Sequence, residues 1–190
     1  MRTFSCLLIA LLALQVATIP FKQQIALLNS LEVGRDEDPM TWSCIGCDAS
    51  NKPLRSHVIK EDNKDIKAIL SVYDEYTVLA FRYTATAKNI WQDLLWAIQV
   101  QDEHAPSGCK VQKQYDNMWN SIRKDVKADL IKSSHTGRLI ITGISLGGGL
   151  AMISYVDISH YNIFKNIEII TFGSPRVGNA NWAKWMESIV

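Results

Sequence analysis

Blocks of like charge, internal repeats and membrane-length apolar runs are all missing from this sequence, and each absence removes a class of function. The 190 residues carry a formal net charge of +1, with acids and bases interspersed. Neither a nucleic-acid footprint nor a polybasic membrane patch is present. The most apolar run near the N-terminus, LLIALLAL (Leu7 to Leu14), is too short to span a bilayer. No low-complexity tract interrupts the chain. Cysteine is also sparse, at four residues. WSCIGC (Trp42 to Cys47) contains a Cys-x-x-Cys pair, but a structural zinc site needs four ligands, and no second pair or nearby histidine cluster supplies them. A redox pair would follow a strand, whereas this one follows the polar run GRDEDP (Gly34 to Pro39), so a structural disulfide is the favoured reading.

What is present begins with Met1 and Arg2, then the apolar run, then small residues at Ala17 and Thr18. That order matches a secretory signal over residues 1–18, with cleavage near Ala17 to Ile19. An N-terminal core helix or anchor is the alternative. With the signal removed, the mature chain from 19 to 190 has no transmembrane segment and is expected outside the cell or in the lumen of a secretory or digestive compartment. Cys6 leaves with the signal, and Cys44, Cys47 and Cys109 remain. The odd count means a free thiol or a partner outside this sequence. Hydrophobic residues make up 47% of the chain, enough for one domain with a core and too little length for two.

Apolar periodicity then sets out the order of elements. FKQQIALLNSL (Phe21 to Leu31) fits a short amphipathic helix, and YTVLAFRYT (Tyr76 to Thr84) a buried strand. NIWQDLLWAI (Asn89 to Ile98) has a broad helical apolar face. From Asp116, Trp119, Ile122, Val126 and Leu130 recur at helical spacing toward Ser133 and Gly137. RLIITGIS (Arg138 to Ser145) reads as a central parallel strand, LGGGLAMISYV as a helix with a glycine-rich first turn, and IEIITF (Ile167 to Phe172) as another strand. Trp182, Trp185, Met186 and Ile189 mark one more helix. Strands alternating with helices predict an α/β fold with a mostly parallel sheet.

Within this pattern Gly-Ile-Ser-Leu-Gly (Gly143 to Gly147) falls where an apolar strand hands over to a helix. A nucleophile on so tight a turn needs neighbours without side chains, which Gly143 and Gly147 satisfy. The alternative is an ordinary glycine-rich turn; no lysine follows the glycines, so a phosphate-binding P-loop is excluded.

Three ordered segments resemble the fungal-type, or class 3, triacylglycerol lipases, which are α/β-hydrolases. GISLGGGLA is similar to that family's Gly-His-Ser-Leu-Gly-Gly-Ala-Leu-Ala. TFGSPRVGN (Thr171 to Asn179) is similar to Thr-Phe-Gly-x-Pro-Arg-Val-Gly-Asn, and LAFRYTATAKNIWQDL (Leu79 to Leu94) to the strand and lid-proximal helix. The resemblance implies Ser145 as nucleophile and an oxyanion hole formed by the N–H of Leu146 and by Thr84. Ile90, Trp91, Leu94 and Trp96 fall where the family has its lid or hinge, although their spacing serves an ordinary core helix equally well. No metal and no organic cofactor is implied.

The chain departs from the family at three places. Ile144 replaces the histidine before the serine, Tyr83 the glycine before the oxyanion residue, and VQKQY (Val111 to Tyr115) stands for Val-His-x-Gly-Phe. Tyr83 and Ile144 are thereby candidates for shaping the acyl site. In this fold the triad runs Ser, Asp, His along the chain, but Asp157 is the only aspartate after Ser145 and His160 the only histidine. Twelve helical residues separate Ser145 from Asp157, about 18 Å at 1.5 Å per residue. His57, His104 and His135 precede the serine and suit surface or loop roles.

The expectation is therefore a secreted, lipase-like serine ester hydrolase acting on acylglycerols at a lipid–water interface, represented here without its C-terminal acid and base. The unpaired cysteine favours that over a short product that lacks the pair. The rival is a non-catalytic paralogue that binds lipid or a protein partner, suggested by Tyr83, Ile144 and the missing triad members.

Overall fold

The computed structural model describes residues 20–35, 41–61, 66–83, 98–134 and 137–190. Helix α1 (Phe21–Val33) comes first, followed by strands β1 (Arg55–Glu61), β2 (Ile66–Val72) and β3 (Thr77–Phe81). A small hairpin, β4 (Gln99–Gln101) with β5 (Lys110–Gln112), leads into α2 (Lys113–Ser133). Strand β6 (Arg138–Ile144), helix α3 (Leu146–His160), strand β7 (Asn166–Phe172) and helix α4 (Ala180–Ile189) complete the order. The expected signal segment and the predicted helix over Asn89 to Ile98 lie outside the described residues, apart from Ile98.

One five-stranded sheet runs β1-β2-β3-β6-β7. Its β3-β6-β7 part is parallel, as the alternation of strands and helices predicts, with Leu79 opposite Ile141 and Ile141 opposite Ile169. Strands β1 and β2 extend it antiparallel to β3. Neither is among the elements expected from the sequence, although β2, IKAILSV, is an apolar, buried run. In β1 only Val58 and Ile59 are aliphatic and most side chains remain in contact with solvent, as an edge strand allows. A tight turn joins β2 to β3, with the Tyr73 N–H donating to the Tyr76 carbonyl at 2.9 Å.

The period of two along β3 and β6 divides their side chains between two layers. Val78 and Ile140 meet Ile25 and Ala26 of α1, and Ala80 meets Val33. The intervening Leu79, Phe81, Leu139 and Ile141 enter the main core with Trp119, Ile122, Val126 and Leu130 of α2 and Leu150 and Ile153 of α3. The sheet is thus covered by α1 on one face and by α2 and α3 on the other. Two polar contacts cross the α1 layer: Ser30 Oγ lies 3.1 Å from Thr142 Oγ1, and Asn29 Nδ2 donates to Tyr73 Oη at 3.0 Å. Helix α2 begins at Lys113, earlier than the apolar periodicity from Asp116 suggests, because it follows β5 without a connecting loop. Cys44 and Cys47 form the disulfide that the sequence favours, beneath Leu28 and Trp42. Cys109 is a buried free thiol.

Ile141 and Leu79 are fully buried at the centre of the larger core. Ile141→Ala or Leu79→Ala is expected to lower stability by about 2–5 kcal/mol, and Ile122→Val by about 0.5–1.5 kcal/mol, as read by denaturant unfolding. Equal losses for the three would place the core elsewhere.

Candidate active site

Strand β6 ends at Ile144 and helix α3 begins at Leu146, so Ser145 alone makes the turn between them. It does so at φ 53° and ψ −119°, a conformation that L-residues seldom adopt. Two backbone hydrogen bonds hold it there: its N–H donates to the Phe172 carbonyl of β7 at 2.9 Å, and its carbonyl accepts from Gly149 at 3.2 Å. Such strain costs about 1–3 kcal/mol, and it persists only where surrounding structure imposes it.

The flanking glycines show what imposes it. A Cβ on Gly143 would stand 2.2 Å from the Gly147 carbonyl carbon, and a Cβ on Gly147 would stand 2.2 Å from the carbonyl oxygen of Phe81 at the end of β3. The first turn of α3 therefore rests directly on the backbone of the two central strands. At Gly149 the neighbour is a side chain: the buried Tyr115 ring fills the space a Cβ would take. Burial pushes the Tyr115 phenol upward in pKa, so it stays neutral. VQKQY is in this way a packing element, with Tyr115 under α3 and Val111 bridged to Gly178.

Leu146 is the first residue of α3, and its N–H is among those that the helix cannot satisfy internally. It points out at the positive end of the helix dipole, where developing negative charge is stabilised. The Leu146 side chain is buried in the main core, which fixes that end of the helix. Ile144, half-buried, pairs with Phe172. Tyr83 is half-buried too, and its ring packs on Gly34 just beyond α1, where a Cβ would meet it at 2.1 Å. Thr84, Ile90, Trp91, Leu94 and Trp96 lie outside the described residues.

The segment after β7 forms the other wall. Gln112 N–H donates to the Val177 carbonyl and Gln112 Nε2 to that of Arg176, while Asn179 N–H donates to Lys110. Asn179 Oδ1 caps α4 by accepting from Trp182 N–H at 2.9 Å. GSPRVGN is thus tied to β5 at three points. Ser174 lies beside Gly148, a neighbour of the turn that sequence spacing gives no means of finding.

The remaining titratable candidates are engaged elsewhere. Asp157, at the far end of α3, accepts from His104 Nε2 at 2.7 Å and from Trp119 Nε1 at 3.0 Å. His160 stacks on His104. His57 pairs with Asp129, whose other oxygen takes Lys132. His135 lies outside the described residues. Among the described residues, no carboxylate–imidazole pair reaches Ser145.

These contacts predict unequal penalties. Gly147→Ala meets unyielding backbone and is expected to cost about 3 kcal/mol or more. Gly173→Ala has open space around it and bears only a positive φ of 59°, a strain of about 1–2 kcal/mol. Similar unfolding free energies for the two variants would show that α3 does not sit on β3 as described.

Comparison with known proteins agrees with this geometry. Residues 78–190 match the family model for class 3 lipases. A lipase of Rhizomucor miehei is 28% identical over 167 residues, covering 78% of this chain and 42% of that protein. A lipase of Rhizopus niveus is 25% identical over 156 residues, covering 77% and 39%. The chain spans about two fifths of the length of these relatives. Among solved structures, the R. miehei triacylglyceride lipase superposes with a TM-score of 0.74 at 22% identity, over 88% of this chain and 66% of that one. Lipase II from R. niveus gives 0.72 at 21%, over 92% and 68%. The fold is that of the α/β-hydrolases, and with more than half of its length matched by the family model, the chain belongs to the class 3 lipases.

Proposed function

We propose that this chain is the nucleophile-bearing part of a secreted carboxylic ester hydrolase that cleaves acylglycerols through an acyl-enzyme on Ser145. The observation that carries the reading is the Ser145 turn, held at positive φ by backbone contacts that only glycine permits at positions 143 and 147. Ser145 thereby follows the C-terminal end of β6 and precedes Leu146, whose N–H the helix cannot satisfy internally. A carbonyl attacked by Ser145 Oγ would leave its oxyanion facing that N–H, with Thr84 the proposed second donor. A serine hydroxyl is a weak nucleophile unless a base takes its proton. The reading therefore requires an imidazole and its carboxylate from beyond the described residues.

Substrate class and location rest on kinship. A relative from Gibberella zeae, 27% identical over 92 residues, is a secreted mono- and diacylglycerol lipase. No helix among the described residues is long and apolar enough to cross a membrane. Action at a lipid–water interface, with Ile90 and Trp91 in a lid, belongs to the same proposal.

The test uses the protein translated from the whole transcript. A serine-directed fluorophosphonate should label Ser145, and Ser145→Ala should abolish labelling and reduce hydrolysis of a diacylglycerol emulsion by orders of magnitude. Thr84→Val should lower kcat about 10²–10³-fold. Parent-level hydrolysis by Ser145→Ala would refute the assignment. A folded protein that binds emulsion without labelling or turnover would instead establish a non-catalytic lipid-binding paralogue.

A further inference from the structure

At the end of α3 remote from Ser145, three oxygen and nitrogen donors converge with no hydrolytic task. His104 Nε2 lies 2.7 Å from Asp157 Oδ1 and 3.4 Å from Glu103 Oε1. All three ligand atoms lie within 4.8 Å of one another. In a tetrahedral zinc shell with bonds of about 2.0–2.2 Å, ligand atoms stand about 3.3 Å apart, so small movements bring these three onto one ion. They border a cavity of about 20 Å³, the size of a single water or ion, also lined by Asp102, Asp116 and Trp119. Four acidic residues therefore line this space, answered by Arg123 on Glu103. Lys127, the next cation, sits over the Tyr161 ring.

His104 and Asp157 are held in place before any ion arrives. Asp102, buried, accepts from Trp182 Nε1 at 2.7 Å and from the His104 N–H at 3.0 Å, which fixes the backbone carrying His104. Gln101 ties the same loop by donating to the carbonyls of Asp102, Ala105 and Pro106 and accepting from Gly108 N–H. His160 stacks on the His104 ring at 4.5 Å, and Trp119 Nε1 orients Asp157 through its other oxygen. Outer partners of this kind orient the ligands of protein-bound zinc. A second donor cluster among the described residues, Glu32 with Cys44 and Cys47, has both sulfurs in a disulfide and offers no thiolate.

We propose that Glu103, His104 and Asp157 bind one zinc ion, with water completing the shell, and that the ion pins the β4–β5 loop to the C-terminal turn of α3. The imidazole nitrogen favours zinc over magnesium or calcium, which prefer all-oxygen shells. Zinc at His104 Nε2 takes the place of the hydrogen bond to Asp157, with any ring proton carried on Nδ1 or released to solvent, and draws Glu103 away from the half-buried Arg123.

Titration of the tag-free, disulfide-bonded chain with ZnCl2 by calorimetry should show one equivalent bound with a Kd at or below the micromolar range, undiminished by millimolar Mg²⁺. Cobalt(II) should give the visible absorption of a four-coordinate site. His104→Gln and Asp157→Asn should weaken binding at least 100-fold, and Glu103→Gln about 10-fold. Cys44→Ser with Cys47→Ser should leave it unchanged. Zinc should raise Tm in the parent and not in His104→Gln. Should Asp157→Asn fail to fold, the exposed Glu103→Gln and the loop variant His104→Gln decide the matter. Absence of zinc uptake by the folded parent, or an unchanged Kd in both of those variants, would overturn the site.

Discussion

The contact between the first turn of α3 and the backbones of β3 and β6 is the constraint on which the rest of this molecule hangs. With no side chain at Gly143 or Gly147, the helix comes within about one atom's width of Phe81 and of the strand it leaves. Only a single residue is then available to reverse the chain, and that residue is Ser145 at φ 53°. The backbone strain is offset by the hydrogen bond to Phe172 and by the burial of Leu146 and Leu150 behind it. One steric fact thereby sets the position of the hydroxyl, the direction of the helix dipole and the orientation of the Leu146 N–H.

That same contact accounts for how α2 and β5 are placed. Because α3 lies so low on the sheet, Tyr115 can slide its ring over Gly149, and α2 follows Tyr115 across the same face. Strand β5, immediately before α2, is then brought beside the segment after β7, where Gln112 and Lys110 bond to Val177 and Asn179. The residues around the turn are consequently contributed by four separated stretches of chain, each positioned by packing rather than by its own preference.

How far such an arrangement is legible in sequence depends on the length scale of its cause. The parallel strands β3, β6 and β7 and helices α1, α2 and α3 are visible because their apolar periods reflect burial along each element. The turn at Ser145 is visible because two glycines and a strand-to-helix handover are local. Strand β1 escapes notice because it is mostly solvated, whereas β2, IKAILSV, carries a plain apolar signal that is legible yet absent from the expected elements. The packing of Tyr83 on Gly34 and of Ser174 beside Gly148 joins residues far apart in the chain, with no periodicity to betray them. His104 and Asp157, 53 positions apart, belong to the same class, and a reading of each histidine by itself assigns it to the surface.

Asp157 shows why that cluster calls for an explanation beyond folding. A carboxylate in the last turn of a helix meets the negative end of the dipole, and this one is also 94% removed from solvent. An aliphatic residue at that position would avoid both penalties and extend the apolar face formed by Ile153 and Val156. Instead the chain surrounds the carboxylate with Trp119 and His104, fixes His104 through Asp102, and fixes Asp102 through Trp182. Four residues from α2, α4 and the β4–β5 loop are engaged in orienting one buried carboxylate toward a space the size of an ion. Burial of a charge is weak evidence of a contribution to stability, since well-packed apolar groups serve at least as well. Its presence at this cost, at the opposite end of the helix that positions Ser145, is accounted for by the positive charge of the proposed zinc ion.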